Sequence, residues 1–135
     1  MQLKIKRNQR SAMLGGKVVF ILDVMAELNR EEKDLVDKYK LHKELVYSSD
    51  AAEHNAAMAR AGNLKSLGAA VLDRATKRRF TLGDLVDGQH LECKDLGELV
   101  DTENQVYAAC QTIRQYLDIA KSFDGSEQVV DIVAA

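Results

Sequence analysis

The chain has 135 residues, of which 46% are hydrophobic and 30% charged, and its formal net charge is −2 at pH 7. This length favours a single domain over residues 1–135, and the composition is far from that of disordered chains. With no Trp, 3 Phe and 4 Tyr, few aromatic side chains could stack on bases or sugars.

The cysteine content and the hydropathy predict a cellular compartment. Cys93 and Cys110 are the two cysteines, which is too few for the disulfide framework of a small secreted domain. The apolar run 18–22 is shorter than the core of a secretion signal and much shorter than the ~20 residues of a membrane-spanning helix. We therefore expect a cytoplasmic protein without a membrane partner.

The N-terminal pattern is typical of two paired strands. Apolar and polar residues alternate over 3–6, which predicts a short strand with one buried face. A polar stretch over 7–11 and the pair Gly15-Gly16 separate it from a β-branched and aromatic run over 17–22. That run predicts a central strand, and we expect the two strands to pair.

Helical and strand patterns alternate through the middle of the chain. We predict helices over about 30–40, 51–61 and 63–79, and strands over 44–48, 79–81 and 89–93, with one short helical turn at Leu85-Val86. Most helix boundaries rest on capping pairs, namely Asn29–Glu32, Asp50–Glu53 and Thr81–Asp84, and on Gly62 as the end of the second helix.

The most regular pattern predicts a long helix near the C-terminus. It begins at either Asp95 or Thr102, ends near Phe123, and is followed by a last strand over 127–133 inside the sheet. Its buried stripe is Leu99, Val106, Cys110, Ile113, Leu117 and Ala120.

These elements together predict an α+β fold. We expect a mostly antiparallel sheet of about five or six short strands, packed against the long C-terminal helix and two or three shorter helices. The order of elements does not match the regular βαβ alternation of doubly wound folds.

Charge is divided along the chain. Residues 1–83 carry 16 basic and 10 acidic side chains, whereas residues 84–135 carry 3 basic and 11 acidic ones. Two basic groups, if adjacent in space, would form a surface for phosphate or nucleic acid with a steep salt dependence. Their members are Lys4, Lys6, Arg7, Arg10 and Lys17 in the first, and Arg74, Lys77, Arg78 and Arg79 in the second.

Short motifs that carry chemistry do not favour an enzyme. Gly15-Gly16-Lys17 lacks the earlier Gly, the following Ser or Thr and the following helix of a phosphate-binding loop. In His90-Leu91-Glu92-Cys93, strand alternation places His90 and Glu92 on one face and buries Leu91 and Cys93. Cys110 lies in the buried stripe, and His42 and His54 have no motif around them. We therefore assign no catalytic residue, metal or cofactor.

The acidic residues of the second half are explained by helix capping rather than by cation binding. Their spacing does not match an EF-hand loop, and carboxylates are favoured at helix N-termini. These residues are Asp84, Asp87, Glu92, Asp95, Glu98, Asp101 and Glu103.

Three functions follow as hypotheses. The first is a non-catalytic intracellular interaction or assembly module whose partner is another protein or itself; in a homo-oligomer, the basic part of one copy would meet the acidic part of another. The second is a nucleic-acid-associated protein that uses the two basic groups. The third is a small enzyme with a site assembled in space around His90 and Glu92.

Overall fold

A computed structural model describes residues 1–11, 16–60 and 77–132, apart from the side chains of Ala51 and Met58. Within these ranges the fold is α+β, as predicted, with five strands in two antiparallel sheets and a long helix at the C-terminal end. The strands are β1 Gln2–Ser11, β2 Val18–Glu27, β3 Leu45–Ser48, β4 Arg79–Thr81 and β5 Gln89–Cys93. The helices are α1 Arg30–Lys38, α2 Ala51–Arg60, α3 Leu82–Asp87 and α4 Leu96–Lys121, and a single 3₁₀ turn spans Leu41–Lys43.

The first sheet has the order β1-β2-β5, and all of its described pairs are antiparallel. The predicted pairing of the first two strands is confirmed, but both strands are longer than predicted. The polar stretch 7–11 was expected to be a loop and instead continues β1, with Arg7 opposite Leu22 and Ser11 opposite Val18. A polar run is compatible with an edge strand because its side chains are exposed there.

The second sheet pairs β3 with β4 through an irregular register. Its strand β3 is buried throughout, and the Tyr47 ring lies 6.2 Å from the Phe80 ring and 5.3 Å from the imidazole of His54. The predicted strands over 44–48 and 79–81 are therefore confirmed. Most of the predicted helix over 63–79 and its predicted stop at Gly62 lie outside the described residues, and residues 77–78 are not helical.

Local capping explains where the helices begin. Both reciprocal bonds of the capping box are present between Asn29 and Glu32 and between Thr81 and Asp84. Asp95, rather than Thr102, caps α4, since its Oδ1 accepts from the Glu98 N–H at 2.8 Å. The predicted stripe of α4 is buried in full and faces the core with β2, β3 and β5.

The predicted C-terminal strand is wrong. The segment Asp124–Ile132, which we call the tail, forms neither helix nor strand, and its apolar residues Val129, Val130 and Ile132 are 86%, 71% and 88% exposed. β-branched alternation gives a segment the propensity for a strand, but a strand also needs a partner edge. After α4 the tail pairs with none of the strands in the described ranges.

Candidate functional site

The most distinctive surface of the protein is an open sheet edge. The first sheet ends at β1, and none of the strands in the described ranges pairs with the outer edge of this ten-residue strand. Such an edge offers a row of backbone N–H and C=O groups to any extended segment that can lie beside it. The strand at the other edge, β5, is half as long.

The two faces of β1 differ in chemistry because its side chains alternate. Leu3 and Ile5 lie opposite the buried residues Ala26 and Val24 and pack against the core beneath α4. Lys4 and the other even-numbered cations, Lys6 and Arg10, point to the opposite, outer face, where all three are exposed. An added strand would therefore have one apolar and one charged side.

Arg7 connects the edge strand to α4. It shares the face of Leu3 and Ile5, and its Nη2 donates to Glu103 Oε2 at 2.9 Å, while its Nε also donates to the same carboxylate. This hydrogen bond raises the pKa of Arg7 further above its ordinary value. The contact shows that the flank of α4 bearing Glu103 borders the free edge of the sheet.

That flank of α4 is apolar around Glu103. Leu96, Val100 and Tyr107 are 60%, 55% and 44% exposed. Their spacings of four and seven residues place all three on the helix face that carries Glu103. We call the outer edge of β1 together with these three side chains the edge site. Exposed apolar side chains grouped beside an unpaired edge are typical of a binding surface.

The basic groups predicted from the sequence are largely paired with carboxylates of the same chain. Lys4 pairs with Glu27, and three further pairs join Arg10 to Glu92 at 2.5 Å, Arg78 to Glu98 at 3.6 Å and Arg79 to Glu53 at 3.0 Å. Lys6, Lys17 and Lys77 form no ion pair with a described residue. Arg74 lies outside the described residues.

The two basic groups do adjoin. Arg10 binds the carboxylate of Glu92, and Arg78 Nη2 lies 3.5 Å from the backbone oxygen of the same residue. The acidic second half of the chain thus supplies the counter-charges Glu92 and Glu98 at this junction, and Glu103 as the counter-charge of Arg7. Much of the charge division seen in the sequence is neutralised within one molecule.

His90 lies on the open outer face of the first sheet. Its Nδ1 is 2.6 Å from Asp23 Oδ1, and it borders a shallow depression of about 390 Å³ between β1, β2 and β5. The hypothesis of an enzyme around His90 and Glu92 predicts one concave pocket that contains both side chains. Glu92 does not line the depression, which also has no Ser, Thr or Cys in its lining.

Of the remaining candidates, His42 is exposed with its Nε2 3.1 Å from Asp37 Oδ1, whereas Cys93, Cys110 and His54 are buried in the core. Cys93 and Cys110 are both buried and unpaired, and burial raises the pKa of the Cys110 thiol to about 11. His54 is buried against Tyr47, and burial lowers its pKa. Its Nδ1 has no hydrogen-bond partner in the described part of the chain. Over the same residues, no three His, Cys, Asp or Glu side chains are grouped as metal ligands would be.

Comparison with known proteins gave no relative: no family model, curated protein or solved structure matches the chain. Nor does any helix within the described ranges have the length and apolar character needed to cross a membrane. Sequence reasoning missed the helical half of the edge site: the spacing of Leu96, Val100 and Tyr107 places them on one helix face, but it does not show which strand that face borders.

Proposed function

We propose that this protein is a non-catalytic intracellular interaction module that binds an extended apolar segment of a protein at the edge site. One observation carries the proposal. The free edge of β1 lies beside the exposed side chains of Leu96, Val100 and Tyr107, with Arg7 and Glu103 joining the two. Backbone pairing would supply affinity, and the helix flank would select apolar side chains.

The chemistry of the other surfaces supports a binding role rather than catalysis. The thiols are buried, and the exposed pair His90 and Asp23 lies in an open depression with no Ser, Thr or Cys in its lining. Catalysis by such a pair needs a reacting group held within hydrogen-bond reach and sheltered from water. The two unpaired cysteines support a reducing compartment such as the cytoplasm.

Light scattering and hydrogen exchange test this function together. The full chain is measured over a wide range of concentration at ~50 mM and ~500 mM salt, with the exchange of the β1 amides followed in parallel. We expect association with itself or with a native protein partner, accompanied by slower exchange along β1. A strict monomer at both salt concentrations that also binds no protein from native lysate would refute the proposal.

A matched pair of variants connects that association to the edge site. Val100→Lys/Tyr107→Lys adds charge to the exposed flank and should weaken association roughly 30-fold. Ile119→Lys changes a residue on another flank of the same helix, also exposed, and should leave association unchanged. Equal association by both variants would exclude the edge site.

Nucleic-acid binding is the second candidate, favoured by the junction of the two basic groups at Glu92. Within the two basic groups, Lys6, Lys17 and Lys77 are the described residues that form no ion pair. The protein could therefore contact roughly three phosphates without breaking an ion pair of its own. Titration of labelled duplex and single-stranded nucleic acid at ~50 mM and ~200 mM salt tests this. Glu92→Gln should strengthen binding by releasing Arg10, and absence of binding by this variant at the lower salt would refute it.

A further inference from the structure

We infer that the segment bound at the edge site is the tail of a second copy of this chain. This inference rests on the proposed function and names its partner. The tail would add to β1 as a fourth strand of the first sheet, so that each copy offers both an acceptor edge and a donor strand. Three independent features of the tail argue for this pairing: its exposed apolar residues, its alternation and its charge.

The tail has the composition of a strand but pairs with none of the described strands. Residues 127–132 read Glu-Gln-Val-Val-Asp-Ile, and Val129, Val130 and Ile132 are all more than two-thirds exposed. Exposing three β-branched side chains in a row of four residues is costly in water. Burial against a second molecule would remove that cost.

The alternation of the tail matches the two faces of β1. In an extended conformation, Val130 and Ile132 point to one side, and Glu127, Val129 and Asp131 point to the other. Placed beside β1, the first pair would extend the row of Leu3 and Ile5 and contact the flank of α4. The carboxylates would then lie on the outer face with the lysines. This assignment holds for either direction of the added strand.

Charge favours the tail over β1 of a second copy as the segment that binds at the edge of β1. β1 carries four cations, Lys4, Lys6, Arg7 and Arg10, and no acid, whereas the tail carries three acids, Asp124, Glu127 and Asp131, and no base. Pairing β1 with β1 of a second copy would bring like charges together across the strands, which is destabilising. Pairing it with the tail brings opposite charges together, and Lys6 has no ion-pair partner in the described chain.

The residues just before the tail contact α1, and the tail itself does not pair with β1 of the same molecule. The Phe123 ring lies 5.8 Å from the Tyr39 ring beyond the end of α1, and Lys121 Nζ lies 4.0 Å from Glu31 Oε1. From there the tail extends into solvent, and none of its residues pairs with β1 of the same molecule. A second molecule can bring a donor strand to this edge without disturbing these contacts.

A peptide titration tests the inference directly. A labelled peptide of residues 124–132 is titrated by fluorescence anisotropy onto the full chain carrying Val130→Lys/Ile132→Lys, whose own tail cannot compete. We expect saturable binding, weakened roughly 30-fold when the same two substitutions are placed in the peptide. A receptor that also carries Val100→Lys/Tyr107→Lys should bind the unsubstituted peptide as weakly as the first receptor binds the substituted peptide. A receptor that instead also carries Ile119→Lys should bind the unsubstituted peptide normally. Both tail positions are exposed in the single chain, so the receptor should fold normally.

The possible failures are distinguishable. If the peptide does not bind while the edge-site variant still abolishes an association of the wild-type chain, the tail is not the partner but the proposed function stands. If the peptide binds equally to the Val100→Lys/Tyr107→Lys receptor, the edge site is not where the tail docks. If the wild-type chain is a monomer whose tail amides are protected at every concentration, the donor is its own tail and a second copy is excluded.

Discussion

Arg7 on the edge strand and Glu103 on α4 form a two-point ion pair, with Arg7 Nη2 donating to Glu103 Oε2 at 2.9 Å. Sequence proximity groups Arg7 with Lys4, Lys6 and Arg10, but strand alternation directs it to the opposite face. The pair fixes which flank of the long helix borders the open edge. It thereby makes the exposed side chains of that flank part of the same surface.

Lys6 is the β1 cation that should respond most clearly to the tail. It lies on the outer face opposite Asp23 in register and forms no ion pair in the described structure. We expect Lys6→Glu to weaken self-association measured by sedimentation, with the larger effect at low salt because exposed charges are screened at high salt. Asp131→Lys in the same chain should restore part of the loss. Failure of this charge exchange to restore any association would contradict the predicted pairing of faces.

Asp95 should stabilise the start of α4. Its side chain accepts from the Glu98 N–H at 2.8 Å, and an N-cap replaced by Ala costs about 1 kcal/mol. We expect Asp95→Ala to lower the free energy of unfolding in urea by about that amount. Asp95→Asn is the matched control, because Asn caps as well as Asp. Equal stability of all three proteins would place the start of the helix elsewhere.

His54 should make stability depend on pH. Burial lowers its pKa from 6.5 in the folded chain, so the unfolded chain takes up the proton first as the solution is acidified. The contribution of neutral His54 to the free energy of unfolding is therefore fully present above pH 6.5. It is lost as the pH falls from 6.5 towards the lowered folded pKa, by up to about 1.4 kcal/mol per pH unit. When the free energy of unfolding in urea is measured at several pH values, His54→Gln should flatten its pH dependence below pH 6.5. His42→Gln, at an exposed position, serves as the control. An unchanged slope in His54→Gln would contradict the burial of that imidazole.

The cysteines should be inert in the folded protein. Cys93 and Cys110 are both buried, and the pKa of Cys110 is raised to about 11. A thiol-specific reagent at pH 8 should therefore label both slowly in buffer and quickly in denaturant. Val100→Cys, at an exposed position of the same helix, gives the rate for an accessible thiol. Labelling of the native wild type at that rate would contradict the described core.

Features set by local chemistry could be predicted from the sequence. The capping pair Asn29–Glu32 and the spacing of Val106, Ile113 and Leu117 identify a helix start and a buried face because both depend on residues three to seven apart. The α+β class followed from the same patterns. The choice between Asp95 and Thr102 needed the structure, in which Thr102 is buried within α4 and donates to the Glu98 backbone oxygen at 2.8 Å.

Features that depend on distant partners could not be predicted. The tail has the pattern of a strand, but whether it pairs depends on an edge that its sequence does not specify. The polar half of β1 looked like a loop because polar side chains are tolerated on an exposed edge. For the edge site, Leu96 and Val100 became informative only once Arg7 had placed their flank of α4 beside β1.

Disulfide trapping between two copies is the most direct test of strand addition at the edge site. Chains carrying Val130→Cys are mixed under mild oxidation with chains carrying Leu96→Cys, Val100→Cys or Tyr107→Cys. These positions sample the flank over about 16 Å, at 1.5 Å per residue. We predict a covalent heterodimer with at least one of the three, and none when Ile119→Cys replaces the flank cysteine. Equal trapping with Ile119→Cys, or no heterodimer with any flank position, would contradict the account.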